Sequence, residues 1–146
     1  GRRMVIRSTG EEVMAHLRMM PCSVGNNVDL RIDAGAAAVV QGTRFLLRMV
    51  LVNLLQNALE ASPAGGEVRV RVAFGQTCAI RISNAGAVPA EIRDSFFEKY
   101  VTVGKIKGTG LGTYSAKLMI EAQGGGIAME TSDERNETTV TVTLPV

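Results

Sequence analysis

Two asparagines lie four residues apart in a long apolar stretch of the chain. Asn53 and Asn57 would share one face of a helix, beside its apolar stripe, because residues at this spacing are neighbours on a helix surface. Asparagine is unfavourable in a helix interior, so two of them at this spacing call for a reason. They can be ordinary, partly exposed polar residues. Alternatively, their amide oxygens are hard, neutral ligands suited to a Mg²⁺ ion already held by phosphate groups.

A run of alternating glycines indicates a phosphate site more weakly. The run consists of Gly108, Thr109, Gly110, Leu111 and Gly112. Backbone N–H groups in such a run can approach a phosphate closely, and the N-terminus of the helix that follows adds a favourable dipole. It is not a Walker A loop, because no Gly-Lys-Ser/Thr sequence ends it, and no strand precedes it as in a dinucleotide fingerprint.

A strand end and an irregular, aromatic segment lie between these two groups. Asn84 and Gly86 stand where a strand gives way to a long stretch that contains Phe96, Tyr100 and Lys105. Taken alone, these are a strand-to-loop turn and a loop with an apolar anchor. A segment of this length in a compact domain is usually a functional lid or disordered, so we predict a mobile lid over about residues 88–107.

The hydrophobic pattern predicts the elements that position these groups. Strands are expected at residues 4–7, 28–32, 37–41, 68–74, 78–82, 127–131 and 138–144, and helices at about 8–20, 43–62 and 109–122. In the last helix we expect one side to consist of Leu111, Ser115, Leu118, Met119 and Ala122. Several strand pairs are joined too tightly to be parallel. We therefore predict an α+β two-layer sandwich, with a mixed β-sheet covered on one face by three helices.

Composition limits the classes of function. The 146 residues suit one domain spanning 1–146, and the net charge of +2 with 4% aromatic residues disfavours nucleic acid as a partner. Cys22 and Cys78 lie far apart with a single histidine, which disfavours a Cys/His metal site; buried reduced thiols suit a cytoplasmic setting. No apolar run approaches the roughly 20 residues that span a bilayer, so we expect no membrane insertion by this domain and no signal peptide.

Together, in this order and spacing, the motifs resemble those of the GHKL superfamily of ATP-binding domains, and of its histidine-kinase branch in particular. Residues 51–60 resemble the N box, 82–89 the first glycine box, 96–102 the F box and 108–114 the second glycine box. Residues 138–145 are similar to the family's last strand. The likeness covers nearly the whole chain, and it implies the GHKL fold with ATP and Mg²⁺ as bound groups.

The resemblance implies a role for each motif residue. Asn57 would bind the Mg²⁺ that bridges the phosphates of ATP, with Asn53 beside it. Lys105 would meet the γ-phosphate, and Tyr100 would pack the lid against the nucleotide. The second glycine box would hold the phosphates through the backbone amides of Gly108, Thr109, Gly110, Leu111 and Gly112.

The first glycine box departs from the family pattern at Asn84. The family usually has aspartate there, which accepts a hydrogen bond from the adenine amino group. The amide oxygen of Asn84 can still accept one, but without the charge-assisted part, a loss on the order of 1 kcal/mol. Gly86 is kept, whereas Ala87 stands where glycine is commoner. We therefore expect weaker adenine binding or a relaxed choice of nucleotide.

Asn53 separates the branches of the superfamily. Gyrase-like, MutL-like and heat-shock chaperone ATPases carry glutamate there, as a base that activates water. An amide has no useful basicity, so the resemblance implies that ATP is held and its γ-phosphoryl group is passed on to a histidine. Asn57, through Mg²⁺, and Lys105 would then stabilise the transferred charge.

The resemblance implies a phosphoacceptor outside this sequence. His16 is followed by Leu17 and Arg18 instead of an acidic residue, so we expect an exposed surface histidine. The acceptor is expected on a dimerisation domain upstream of Gly1, with a response regulator as the next partner. The parent protein would be a membrane-anchored or cytoplasmic sensor kinase of a two-component system.

Two alternatives stay open from the sequence. A serine kinase of the anti-sigma type shares the fold, although the full second glycine box disfavours it. A degenerate module that binds nucleotide, or only partner proteins, without phosphoryl transfer is favoured by Asn84 and Ala87. The intact Asn57 and second glycine box oppose it.

Overall fold

A mixed β-sheet with helices on one face forms the body of the molecule. The computed structural model describes residues 3–5, 27–32, 39–41, 44–62, 66–98 and 112–145. The strands are β1 Arg3–Val5, β2 Asn27–Ile32, β3 Val39–Gln41, β4 Glu67–Phe74, β5 Thr77–Ala85, β6 Gly126–Ser132 and β7 Glu137–Pro145. The helices are α1 Arg44–Ala61, α2 Gly112–Ala122 and a 3-10 helix at Ala90–Ser95.

The order of strands in the five-stranded sheet is β2-β4-β5-β7-β6. β2 runs parallel to β4, and the other neighbours are antiparallel. The tight turn at Gly75 and Gln76 joins β4 to β5, whereas β1 and β3 pair separately as a small antiparallel ribbon. The prediction of an α+β sandwich with a mixed sheet is confirmed. The predicted helix at 8–20, with His16, and Cys22 lie outside the described residues.

Strict alternation along the strands places the core on one side of the sheet. The even-numbered side chains of β5 and β7 and of residues 68–72 in β4 are buried, and the apolar ones pack with the apolar stripe of α1. The largest fully buried side chains are Leu47, Leu54, Leu59, Ile80, Ile82, Ile120 and Leu144. Cys78 belongs to this core as predicted, and its burial raises the pKa of the thiol to about 11. That thiol therefore stays protonated and unreactive near neutral pH.

The last helix is rotated relative to the sequence prediction. The residues of α2 that are buried are Thr113, Ala116 and Ile120, whereas Leu118 is 49% exposed. The prediction is therefore wrong for Leu118, whereas Met119 of the same predicted side packs against the core. Two of the three buried residues, Thr113 and Ala116, are small, so they let α2 lie close against α1 but carry too little hydrophobicity to mark the buried face in the sequence.

The segment after Gly86 is more regular than predicted. Residues 90–95 form a 3-10 helix, and Phe96 is buried, with its ring edge-to-face on Phe97 at 4.9 Å and 88°. Val88 is buried as well. The predicted lid therefore does not begin at Val88, because the chain is anchored on the core as far as this aromatic pair. Residues 99–111 lie outside the described residues.

Within the described ranges, none of the helices is long and apolar enough to cross a membrane.

Candidate functional site

A pocket of about 280 Å³ opens between α1, the end of β5 and the start of α2. Its floor is apolar, because Leu54, Ala58, Ile82 and Val140 come from the core. The polar part of its lining consists of Asn57, Glu60, Asn84, Thr113 and Thr138. An apolar cleft with a few convergent polar groups is the usual form of a site for a flat, partly polar small molecule.

Asn84 lies at the inner end of this pocket and is 7% exposed. Its side-chain Nδ2 donates a hydrogen bond of 2.8 Å to the carbonyl oxygen of Ala85. Among the described residues the side chain has no other hydrogen bond, so Oδ1 is the atom left to accept one from a ligand. An amide held in this way presents an acceptor, and its donor is already used.

Gly86 turns the chain sharply after β5. Its φ of 110° belongs to the region that residues with a Cβ rarely adopt, and an added Cβ would lie 3.4 Å from the carbonyl oxygen of Ala61. The N–H of Gly86 donates to the carbonyl of Asn136 at 2.7 Å, and its own carbonyl accepts the Thr138 hydroxyl at 2.7 Å. Both backbone groups of the glycine are therefore fixed by the β6–β7 hairpin.

The same hairpin holds the next two residues of the glycine box. The N–H of Ala87 donates to Oδ1 of Asn136 at 3.1 Å, and the N–H of Val88 donates to Oγ1 of Thr131 at 2.9 Å. Arg93, in the 3-10 helix, also holds the same loop. Its guanidinium donates hydrogen bonds to the carbonyl of Val88 at 2.9 Å and to Asp133 at 2.7 Å. Among the described residues this loop has no β-sheet partner for its backbone groups, and these side-chain hydrogen bonds take the place of the backbone ones. They hold the loop in one conformation.

The opposite end of the pocket has the polar character expected of a phosphate site. Asn57 lines the pocket, and Asn53 stands one turn earlier on α1. A Cβ added to Gly112, the first residue of α2, would lie 4.0 Å from the Cβ of Asn53. The N-terminus of α2 therefore lies beside the two asparagines, and no acidic residue in its first turn offsets the positive end of the helix dipole.

Thr113 links this end to the aromatic segment. The residue is 6% exposed, and its hydroxyl donates to the carbonyl of Phe96 at 3.1 Å. The described segments before and after residues 99–111 are thus tied together beside the pocket. The predicted site residues within that stretch are Tyr100, Lys105, Gly108, Thr109, Gly110 and Leu111.

Sequence reasoning and structure agree on part of this site. Asn57, Asn84 and Gly86 line one pocket although they are distant in sequence, and Gly112 lies against Asn53. The side chains that fix the loop were missed; they are Thr113, Thr131, Asn136, Thr138 and Arg93. Threonines on alternating strands carry no signal beyond strand propensity. Only Asn136, in a polar turn, could have been singled out as a residue that tolerates positive φ.

Comparison with known proteins identifies the family. Residues 42–146 match the family model described as histidine kinase-, DNA gyrase B- and HSP90-like ATPase. The chain belongs to this family. It is 31% identical over 142 residues to sporulation kinase D of Bacillus subtilis strain 168, and 34% identical over 137 residues to the sensor histidine kinase AruS of Pseudomonas aeruginosa.

These alignments cover most of this chain and a minor part of each relative. They include 93% and 86% of this chain, but only 28% of sporulation kinase D and 14% of AruS. The catalytic domain of histidine kinase ThkA, solved in a nucleotide-free form, has the same fold, with a TM-score of 0.85, 24% identity and coverage of 99% of this chain and 94% of that one. The mycobacterial sensor histidine kinase MprB has a TM-score of 0.84 at 21% identity, with coverage of 99% and 96%. The predicted histidine-kinase type of ATP-binding domain is confirmed.

Proposed function

We propose that the pocket binds Mg²⁺–ATP and that the γ-phosphoryl group passes from it to a histidine on a dimerisation domain of the parent protein. The observation that carries this proposal is the polarity of the pocket. One end offers the acceptor Oδ1 of Asn84 in an apolar cleft, and the other offers Asn57 beside the N-terminus of α2, whose first turn has no acidic residue. A nucleoside triphosphate has the matching order of groups, with a flat base that carries an amino donor and an anionic tail.

The adenine end depends on the direction of the Asn84 amide. With Nδ2 bound to the Ala85 carbonyl, Oδ1 can receive the amino hydrogen of adenine. A base with an oxygen at that position would face the same acceptor and be repelled, unless the amide turned and gave up its bond to Ala85. The rigid support of Gly86 by Thr138 keeps this edge of the pocket in shape when no nucleotide is bound.

The residues present fit a magnesium ion carried in by the nucleotide. Mg²⁺ prefers oxygen ligands and keeps most of its partners among phosphates and waters, so a single neutral amide such as Asn57 suits it. Asn57 lines the pocket on the side of the α2 N-terminus. When bound, the ion would neutralise charge on the phosphates. The chain itself would orient the tail between Asn57 and the first turn of α2, and Lys105 would meet its end.

Asn53 supports transfer over hydrolysis. A domain that holds ATP without a base to activate water depends on another molecule for the nucleophile. A histidine of the parent protein would supply it, and a response regulator would then receive the phosphoryl group. One solved structure of similar fold is histidine kinase ThkA in complex with response regulator TrrA. We place this domain on the cytoplasmic side, where ATP is found.

Phosphoryl transfer can be tested directly. The chain is incubated with Mg²⁺ and ATP labelled at the γ-phosphate, together with a histidine-bearing dimerisation domain supplied in trans. We expect label on the supplied domain that is lost in acid and stable in alkali, as for phosphohistidine. Acid-stable label would favour a serine kinase, and binding of ATP without any label transfer would favour the degenerate module.

A further inference from the structure

The face of the sheet away from the helices carries an unusual row of charge. Odd-numbered residues of β4, β5 and β7 point to this face, because the even-numbered ones fill the core. They line a shallow groove of about 680 Å³. Its lining includes Arg69, Arg71, Arg81, Ser83, Thr139 and Thr141. The groove is separated from the nucleotide pocket by the thickness of the sheet.

The arginines of this face stand directly opposite one another. Arg71 of β4 is the register partner of Arg81 of β5. Like charges in direct cross-strand pairs destabilise a sheet. Arg69 is paired with Glu67 at 2.6 Å, whereas neither Arg71 nor Arg81 forms an ion pair or hydrogen bond with another described residue.

The floor beside the arginine row is open and rich in hydroxyl groups. Ser83 and Thr139 share a hydrogen bond of 2.8 Å at its centre. Across β7, the lining residues of β6 include Gly126, which has no side chain, and Ala128, and both leave space above the sheet. This part of the surface therefore offers the guanidinium donors of Arg71 and Arg81 beside room for another chain.

We propose that this face docks a short acidic segment of a partner protein, with carboxylates bound by Arg71 and Arg81. Guanidinium groups bind carboxylates in a bidentate manner, and an anion between the two arginines would relieve their repulsion. Neighbouring strands are about 5 Å apart, which matches the roughly 5–6 Å between acidic side chains one turn apart on a helix.

Acidic residues surround the arginines, so the positively charged region is small. Its size favours a short acidic segment of a protein over a nucleic acid or an anionic membrane. Glu67 flanks the arginines along β4, and Glu130 and Glu137 line the opposite part of the groove. These carboxylates would repel a continuous phosphate backbone or an anionic bilayer but leave space for two or three acidic side chains. The described lining of the groove also contains no aromatic residue on which a base could stack.

Fluorescence anisotropy tests this docking site on the whole chain. A fluorescein-labelled glutamate-rich peptide is titrated into the parent and into the Arg71→Gln/Arg81→Gln variant at low salt. We expect the variant to bind about tenfold more weakly or worse, since two charge-assisted contacts are lost. The matched control is Arg48→Gln/Arg135→Gln, which removes two exposed arginines elsewhere and is expected to bind like the parent.

Several results would overturn the proposal. They are failure of the parent to bind the peptide, equal loss in both variants, and equal binding of a peptide with glutamine in place of glutamate. Tighter binding of phosphatidylserine vesicles or single-stranded DNA through the same arginines would also overturn it. Thermal melting supplies a further check. Removing like-charge neighbours should leave Tm equal or higher in the Arg71→Gln/Arg81→Gln variant, and a clear fall would assign these arginines a structural role instead.

Discussion

Replacing Asn84 by aspartate should move folding stability and ATP affinity in opposite directions. In the folded chain, Nδ2 of Asn84 is the donor to the Ala85 carbonyl at 2.8 Å, in a residue that is 7% exposed. Asn84→Asp removes that donor and turns an oxygen toward the carbonyl. An acceptor left unsatisfied in a buried place costs about 1–3 kcal/mol. For a chain of 146 residues, this lowers Tm by about 3–9 °C.

The same substitution should strengthen ATP binding. A carboxylate that accepts from the adenine amino group adds the charge-assisted part that the amide lacks, about 1 kcal/mol, or roughly fivefold in Kd. Calorimetric titration with Mg²⁺ and a non-hydrolysable ATP analogue measures this gain, and thermal melting without nucleotide measures the loss. Asn84→Ala is the control, since it removes both the donor and the acceptor and should lose stability and affinity together.

Inosine triphosphate sharpens the same experiment. Its base carries an oxygen in place of the amino group, so the parent should bind it at least about fivefold more weakly than ATP, and Asn84→Asp should widen the difference. The reasoning is refuted if Asn84→Asp leaves Tm unchanged, or if it weakens the binding of both nucleotides alike.

Three further substitutions test the packing and hydrogen bonds that support the site and the core. Thr138→Val keeps the shape but removes the donor to the glycine-box carbonyl, so it should cost about 1–3 kcal/mol in urea unfolding and weaken ATP binding; an unchanged midpoint would count against that bond. A Cβ at Gly125 would overlap the backbone of β7, so Gly125→Ala should destabilise by about 1–3 kcal/mol. Its control is Gly75→Ala, where the space is open, and an equal effect of the two would contradict the packing. Because burial raises the pKa of Cys78 from 9.0 to about 11, the folded state holds this proton more tightly than the unfolded chain. Its contribution to stability is therefore complete below pH 9 and is lost as pH rises toward 11. In a plot of the free energy of unfolding against pH, Cys78→Ala should reduce the fall between pH 9 and 11.

The parts of the fold that the sequence predicted are those with strong periodicity. Burial alternates without exception along β5 and β7, and α1 carries a broad apolar stripe, so the places of these elements and most of their buried residues follow from the residue types. The helix α2 has apolar residues on several sides, and its packing on α1 is decided by small residues such as Ala116. A tertiary contact of that kind cannot be read from one helix alone.

Some residues of the candidate site were likewise predictable from sequence, and others were not. Asn57, Asn84 and Gly86 were predicted from residue type and motif order, and they meet in one pocket. The hydroxyls of Thr131 and Thr138, which hold the glycine box, come from strands far along the chain. Their role depends on the register of β6 with β7, and a threonine in an alternating strand has the same pattern whether or not its hydroxyl supports a loop.

Binding of ATP with and without Mg²⁺ tests the central claim most directly. The parent and Asn57→Ala are titrated with ATP by calorimetry, first with Mg²⁺ and then with a chelator. If the pocket holds Mg²⁺–ATP through Asn57, the parent should bind more tightly with the metal, and Asn57→Ala should lose most of that difference while it keeps its melting temperature within a few degrees. Equal affinity of the parent and Asn57→Ala in the presence of Mg²⁺, or no binding of ATP by the parent at all, would contradict the account.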